Sequence, residues 1–149
     1  MSNNRIVICQ NRKVRFEYEV LETIEAGIVL KGTEIKSVSQ RHVSLDGAFA
    51  VVANGEVTLV NCNIEPYKQG NIWNHEPKRQ RRLLLHKSEI AKFADQAKIK
   101  GFTLIPLSMY MNNGKAKIEL ALCRGKQIHD KRETERRKQS EKDMRQQLR

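Results

Sequence analysis

Ala48-Phe49-Ala50-Val51-Val52, then Ala53-Asn54-Gly55, then Glu56-Val57-Thr58-Leu59-Val60 reads as one β-hairpin. Asn-Gly supplies the positive φ angles that a two-residue primed turn demands. The same logic recurs downstream. Thr103 to Met111, then Asn112-Asn113-Gly114, then Lys115 to Leu122 predicts a second hairpin. Upstream, Phe16 to Ile24, then Glu25-Ala26-Gly27, then Ile28-Val29-Leu30 predicts a third, with Glu25 at its tip. Arg82-Leu83-Leu84-Leu85 adds a short apolar strand. Asn11, Arg12 and Lys13 precede the first predicted strand.

Two helices fit between these strands. Ser88 can cap one running to Lys100 and stopping at Gly101, with Ile90, Phe93, Ala94 and Ala97 on one face. Thr33 can cap a shorter one through Gln40, with Ile35 and Val38 inward. Antiparallel strands, short helices and a basic surface predict a mainly β fold. The expected form is a small closed antiparallel barrel of the oligonucleotide-binding type, with flanking short helices and a basic C-terminal tail. Pattern alone leaves other small barrels open.

Composition narrows the function. The chain has 149 residues, 28 Lys+Arg against 17 Asp+Glu, and a net charge of +11. That excess points to a polyanion, and to nucleic acid before membrane, because the basic tail lacks the apolar face an interfacial helix needs. No window approaches the roughly 18 apolar residues of a membrane span, and Ile6-Val7-Ile8-Cys9 is too short for a signal peptide. A cytoplasmic monomer is expected. Cys9, Cys62 and Cys123 show no CxxC spacing and read as reduced thiols.

The charge is uneven. Residues 124–149 hold ten Lys/Arg and five Asp/Glu, and Asp130 to Lys142 contains no apolar residue. Such a segment does not bury enough surface to order itself. Yet it has no Pro or Gly, and Glu133/Arg137 and Glu141/Arg145 stand at helical spacing. The expected organisation is a barrel over residues 1–123 and a tail over 124–149, disordered alone and helical when held by a partner.

No enzyme motif stands out. His42, His75, His86 and His129 lack metal-ligand spacing, and neither a Walker loop nor GxSxG is present, so no metal, cofactor or catalytic residue is expected. A small ribonuclease would need a paired acid and base, and no spacing nominates one. The segment Pro66 to Arg82 is long, polar and basic, with Tyr67, Trp73 and His75 interleaved. Its cations, Arg79 and Arg81 among them, can attract phosphate, and Trp73 can stack on an unpaired base or cap the core. Glu25 is distinctive on a basic face, because a carboxylate accepts from base amino groups and ribose hydroxyls.

Several blocks then become recognisable. They are Glu25-Ala26-Gly27-Ile28-Val29-Leu30-Lys31-Gly32-Thr33-Glu34-Ile35-Lys36-Ser37, the run Asn63 to Pro77, the run Arg79 to Ile90, and Gly125-Lys126-Gln127-Ile128-His129-Asp130-Lys131-Arg132. Together they resemble the SsrA-binding protein family, the transfer-messenger RNA (tmRNA) partner of bacterial trans-translation. The resemblance implies the oligonucleotide-binding barrel and no catalysis. It implies binding to the tRNA-like domain of tmRNA and delivery of that RNA to stalled ribosomes. The family's RNA-contacting positions match Asn11, Glu25, Leu84 and His86, and flanking Arg12 and Lys13 extend the set. Its decoding-centre element matches His129, Asp130, Lys131 and Arg132, preceded by Gly125. The basic Arg136, Arg137 and Lys138 would continue along the messenger channel. The chain departs from the family pattern at Arg41-His42 and at Trp73.

Overall fold

The computed structural model describes residues 5–125. His129, Asp130, Lys131, Arg132, Arg136, Arg137 and Lys138, with the tail expectations built on them, lie outside the described residues. So does the side chain of Trp73.

In chain order the elements are β1 (Arg5–Gln10), α1 (Val14–Glu17), β2 (Tyr18–Ile28), α2 (Gly32–Ser39), β3 (Val43–Ser44), β4 (Phe49–Ala53) and β5 (Glu56–Val60). There follow β6 (Asn63–Ile64), a 3-10 helix (Lys68–Trp73), β7 (Arg81–Leu84), α3 (Lys87–Ala97), β8 (Phe102–Asn112) and β9 (Lys115–Gly125). The protein is mainly β. Its large antiparallel sheet runs β1-β8-β4-β5-β7-β2-β9, and β9 pairs again with β8, so the pairings close back on β8 and leave β1 at the edge. β3 and β6 form a separate two-stranded pair.

Both Asn-Gly hairpins form. Asn54 and Gly55 have φ of 53° and 74°, and Asn113 and Gly114 have 52° and 78°. Those angles match the right-handed twist of the flanking strands, which is why this dipeptide closes them. Alternate residues of β5 and β9 then point inward: Val57, Leu59, Ile118 and Leu120 are fully buried with Leu83, Leu104 and Met109. Phe93 of α3 and Val38 of α2 complete this core. A smaller cluster of Val14, Ile105, Leu107, Ala121 and Cys123 packs on the other face of β8 and β9, where Val14 places α1.

Six expectations are corrected. The third hairpin does not exist: β2 is one strand through Glu25 and Gly27, and Glu25 sits mid-strand opposite Glu119 of β9. Gly27 serves close packing instead of a turn, since a Cβ there would lie 3.3 Å from Leu84 Cβ. The first strand is β1, so Asn11 follows a strand instead of preceding one. Ile35 faces solvent, and α2 buries Glu34, Ser37 and Val38. Its N-cap is Lys31, whose amide donates to Glu34 Oε1 at 2.7 Å, while the Thr33 hydroxyl is occupied by His75 Nδ1 at 2.8 Å. Likewise α3 starts after His86, whose amide donates to Glu89 Oε1 at 2.9 Å, so Ser88 is not its cap. β9 runs through Gly125, which pairs with Tyr18, so the strand extends past residue 123.

Candidate nucleic-acid interface

Register builds the site. The primed turn at Asn113-Gly114 pairs Asn112 with Lys115, and counting back places Tyr110 opposite Lys117 and Ser108 opposite Glu119. On the other edge of β9, Lys117 pairs with Gly27 and Glu119 with Glu25. Gly27 pairs in turn with Leu84 of β7. One row across the sheet therefore reads Leu84, Gly27, Lys117, Tyr110, and the next reads Glu25, Glu119, Ser108. His86, two residues past Leu84, continues the register toward Glu25.

These positions enclose a cleft of about 340 Å³ lined by Glu25, Gly27, Leu84, Leu85, His86, Glu89 and Lys117. Three of the four positions marked by the resemblance thus meet in one place. The Glu25 carboxylate is not loose within it. Tyr110 Oη donates to Glu25 Oε2 at 2.5 Å. The Arg5 guanidinium lies 3.7 Å above the Tyr110 ring centroid, a cation–π contact. Arg5 also donates to Glu119 Oε2 at 3.3 Å, and Ser108 Oγ donates to the same oxygen at 3.3 Å. Like charges directly opposed across strands are unfavourable, and Glu25 and Glu119 are each relieved by their own donors. Burial, and then the Glu25 carboxylate it serves, push the Tyr110 phenol above its ordinary value, so it remains a donor at neutral pH.

Asn11 is not in this cleft. It is 7% exposed, and its Nδ2 donates to Leu45 O at 3.1 Å and Pro106 O at 3.3 Å, while its amide donates to Leu107 O at 2.7 Å. β8 has a register shift between Pro106 and Ser108. A bulge leaves backbone groups without ladder partners, and Asn11 occupies them. It does line a neighbouring basin of about 310 Å³ with Arg5, Arg12, Arg15, Ser108 and Glu119. Lys13 is exposed and lines a different depression, with Glu17, Asp46 and Phe49.

Arg81 corrects the sequence reading, while Arg79 keeps a partly exposed side chain. Glu34 is fully buried and bridges them: Arg79 Nη2 donates to Oε1 at 2.6 Å and Arg81 Nε to Oε2 at 2.5 Å. Arg81 is itself fully buried and also donates to Cys62 O at 2.7 Å and Pro77 O at 3.0 Å. Its guanidinium therefore faces no RNA-accessible surface. Burial raises the Glu34 carboxyl, but donation from Arg79, the Lys31 amide and Arg81 outweighs that and holds it below the ordinary value. The 66–80 segment is pinned by its own hydrogen bonds and by the core beside it. Asn74 Oδ1 accepts from the Tyr67 amide at 2.9 Å, and buried His75 contacts Ile64 O at 2.9 Å. His75 is a packed residue, not a stacking platform.

The three cysteines are free, and burial pushes Cys9 and Cys123 up to about 11 and Cys62 to about 12. Among the described residues no group of three or more His, Cys, Asp or Glu could hold a metal ion. Sequence reasoning missed Arg5, Tyr110, Lys117 and Glu119. The turn at 113–114 carried the signal for the last three, because it sets the pairing of β8 with β9.

A mainly β protein with a carboxylate-bearing cleft, an exposed leucine and an adjacent three-arginine basin presents a surface of the RNA-binding class. The family model described as "SmpB protein" matches residues 8–149. The chain is 52% identical over 142 residues to an SsrA-binding protein of Streptococcus mutans serotype c, covering 95% of this chain and 92% of that one. It is 52% identical over 143 residues to an SsrA-binding protein of Halothermothrix orenii, at 96% and 92% coverage. A solved structure described as "tmRNA-SmpB: a journey to the center of the bacterial ribosome" matches with a TM-score of 0.69 and 47% identity, over 80% of this chain and 85% of that chain. The chain belongs to the SsrA-binding protein (SmpB) family.

Proposed function

We propose that this protein binds the tRNA-like domain of tmRNA and brings that RNA to stalled bacterial ribosomes for trans-translation. The observation that carries this reading is the match to SsrA-binding proteins over nearly their whole length. A solved relative described as tmRNA-SmpB at the centre of the bacterial ribosome supports both partners.

The closed run of pairings around β8, β9, β2, β7, β5 and β4 supports a barrel of the oligonucleotide-binding type. In this reading Glu25 accepts from base or ribose donors, Leu84 packs against a nucleotide, and His86 adds a polar ring at the helix start. Arg12, with Arg5 and Arg15, faces the RNA backbone. Asn11 shapes that basin by closing the bulge of β8. The tail from 126, with His129, Asp130, Lys131 and Arg132 leading, engages the decoding centre in place of a codon–anticodon pair. The protein acts by binding and positioning, with no bond made or broken by its own side chains.

Competition gel shifts test the reading. Labelled tmRNA should resist displacement by bulk tRNA, and added protein should restore peptide tagging to an extract depleted of it. Equal displacement by both RNAs would make this a general RNA-binding module.

A further inference from the structure

We propose that an aliphatic shelf beside the cleft receives the flat face of one unstacked nucleobase of the bound RNA, with Lys115 and Lys117 on the flanking phosphates; this rests on the functional reading above. Leu84 of β7, Val29 just after β2 and Ile35 of α2 are 51%, 45% and 42% exposed. They come from three separate segments yet line a single depression of about 330 Å³, floored in part by Met111. Single exposed aliphatic residues are ordinary, but a contiguous group marks a contact surface. Gly27, Leu84 and Lys117 border both this shelf and the Glu25 cleft, so the two are continuous.

The rim selects the occupant. Lys115 and Lys117 are the ionisable side chains lining the shelf, and neither has a carboxylate within ion-pair distance among the described residues. Two carboxylates, Glu25 and Glu89, line the adjacent cleft. An apolar floor with a purely cationic rim suits a splayed base between two phosphates better than a protein surface of mixed charge. The lysines apart, the lining side chains have no nitrogen or oxygen. The shelf would therefore contact the face of the base and tolerate any of the four.

The test uses the full chain and the tRNA-like domain of tmRNA, titrated at several salt concentrations. Val29→Ser/Ile35→Ser should weaken binding about tenfold, the scale of losing buried aliphatic contact. Its slope of log affinity against log salt should match wild type, because no phosphate contact is lost. Lys115→Gln/Lys117→Gln should instead flatten that slope by about 1–2. In an abasic scan of the RNA, one position should weaken wild type and abolish the difference from the double serine variant, while base swaps there change little. Unchanged affinity of the serine variant with an intact melting curve would overturn the proposal, as would the absence of any such abasic position. Unchanged RNA affinity with lost tagging would assign the shelf to a ribosomal protein and also overturn it. Wild type without preference for tmRNA over bulk tRNA would instead sink the functional reading itself.

Discussion

Glu34 and Glu25 show how the same side chain serves opposite ends depending on its donors. Glu34 is sealed between Arg79 and Arg81 and ties α2 to β7. Glu34→Gln leaves Arg81 buried without its counter-charge and should cost about 3–5 kcal/mol of unfolding free energy in a urea titration at pH 7. The folded carboxyl titrates below the unfolded one, so its stabilisation is complete above the ordinary value of 4.5 and is lost as pH falls through the folded value. The gap between wild type and Glu34→Gln should therefore narrow on acidification, and a gap constant to pH 2 would contradict the assignment. Glu25, by contrast, is exposed and oriented by one phenol. Tyr110→Phe removes that donor and should weaken specific RNA binding by about 1 kcal/mol. On a Glu25→Ala background it should have no further effect, and additive losses in this cycle would show that Tyr110 acts elsewhere.

At the scale of elements, the turns and one glycine decide what the strands present. Gly114→Ala places a Cβ at φ +78° and should cost about 1–2 kcal/mol in thermal unfolding, with little change in RNA affinity for the folded fraction. Gly27→Ala behaves the other way. Its φ is ordinary, and the added Cβ presses on Leu84 from 3.3 Å. Stability should change by less than about 1.5 kcal/mol, while RNA binding falls because Leu84 shifts in the cleft. Equal losses of stability and affinity would mean that the strand itself deforms. The two Asn-Gly turns were legible because their φ requirement is local. The supposed turn at Glu25-Ala26-Gly27 was misread because a glycine in a strand and a glycine in a turn look alike in sequence. Pairing with both β7 and β9 holds this one extended.

Across the whole molecule, the proposed function divides the work between the described domain and the chain beyond Gly125. A chain ending at Gly125 keeps every strand pair of β9, and it should still bind the tRNA-like RNA while losing peptide tagging. Loss of RNA binding with intact circular dichroism would refute that division. The sequence by itself determined the mainly β class, both primed hairpins and the excess of positive charge, because each rests on local φ preference, alternation or composition; the family was legible separately, through the resemblance of its collinear blocks. It also held Glu25, Leu84 and His86 as separate residues of interest. Only the tertiary structure brought them to one cleft, through register counted across β7, β2, β9 and β8. It alone turned Arg81 inward and tied Arg79 to the same carboxylate, since whether an arginine meets phosphate or a buried carboxylate depends on a partner some 45 residues away. It alone exposed Ile35 and buried Glu34, because the fully buried Arg81 needs a buried counter-charge more than α2 needs another apolar contact.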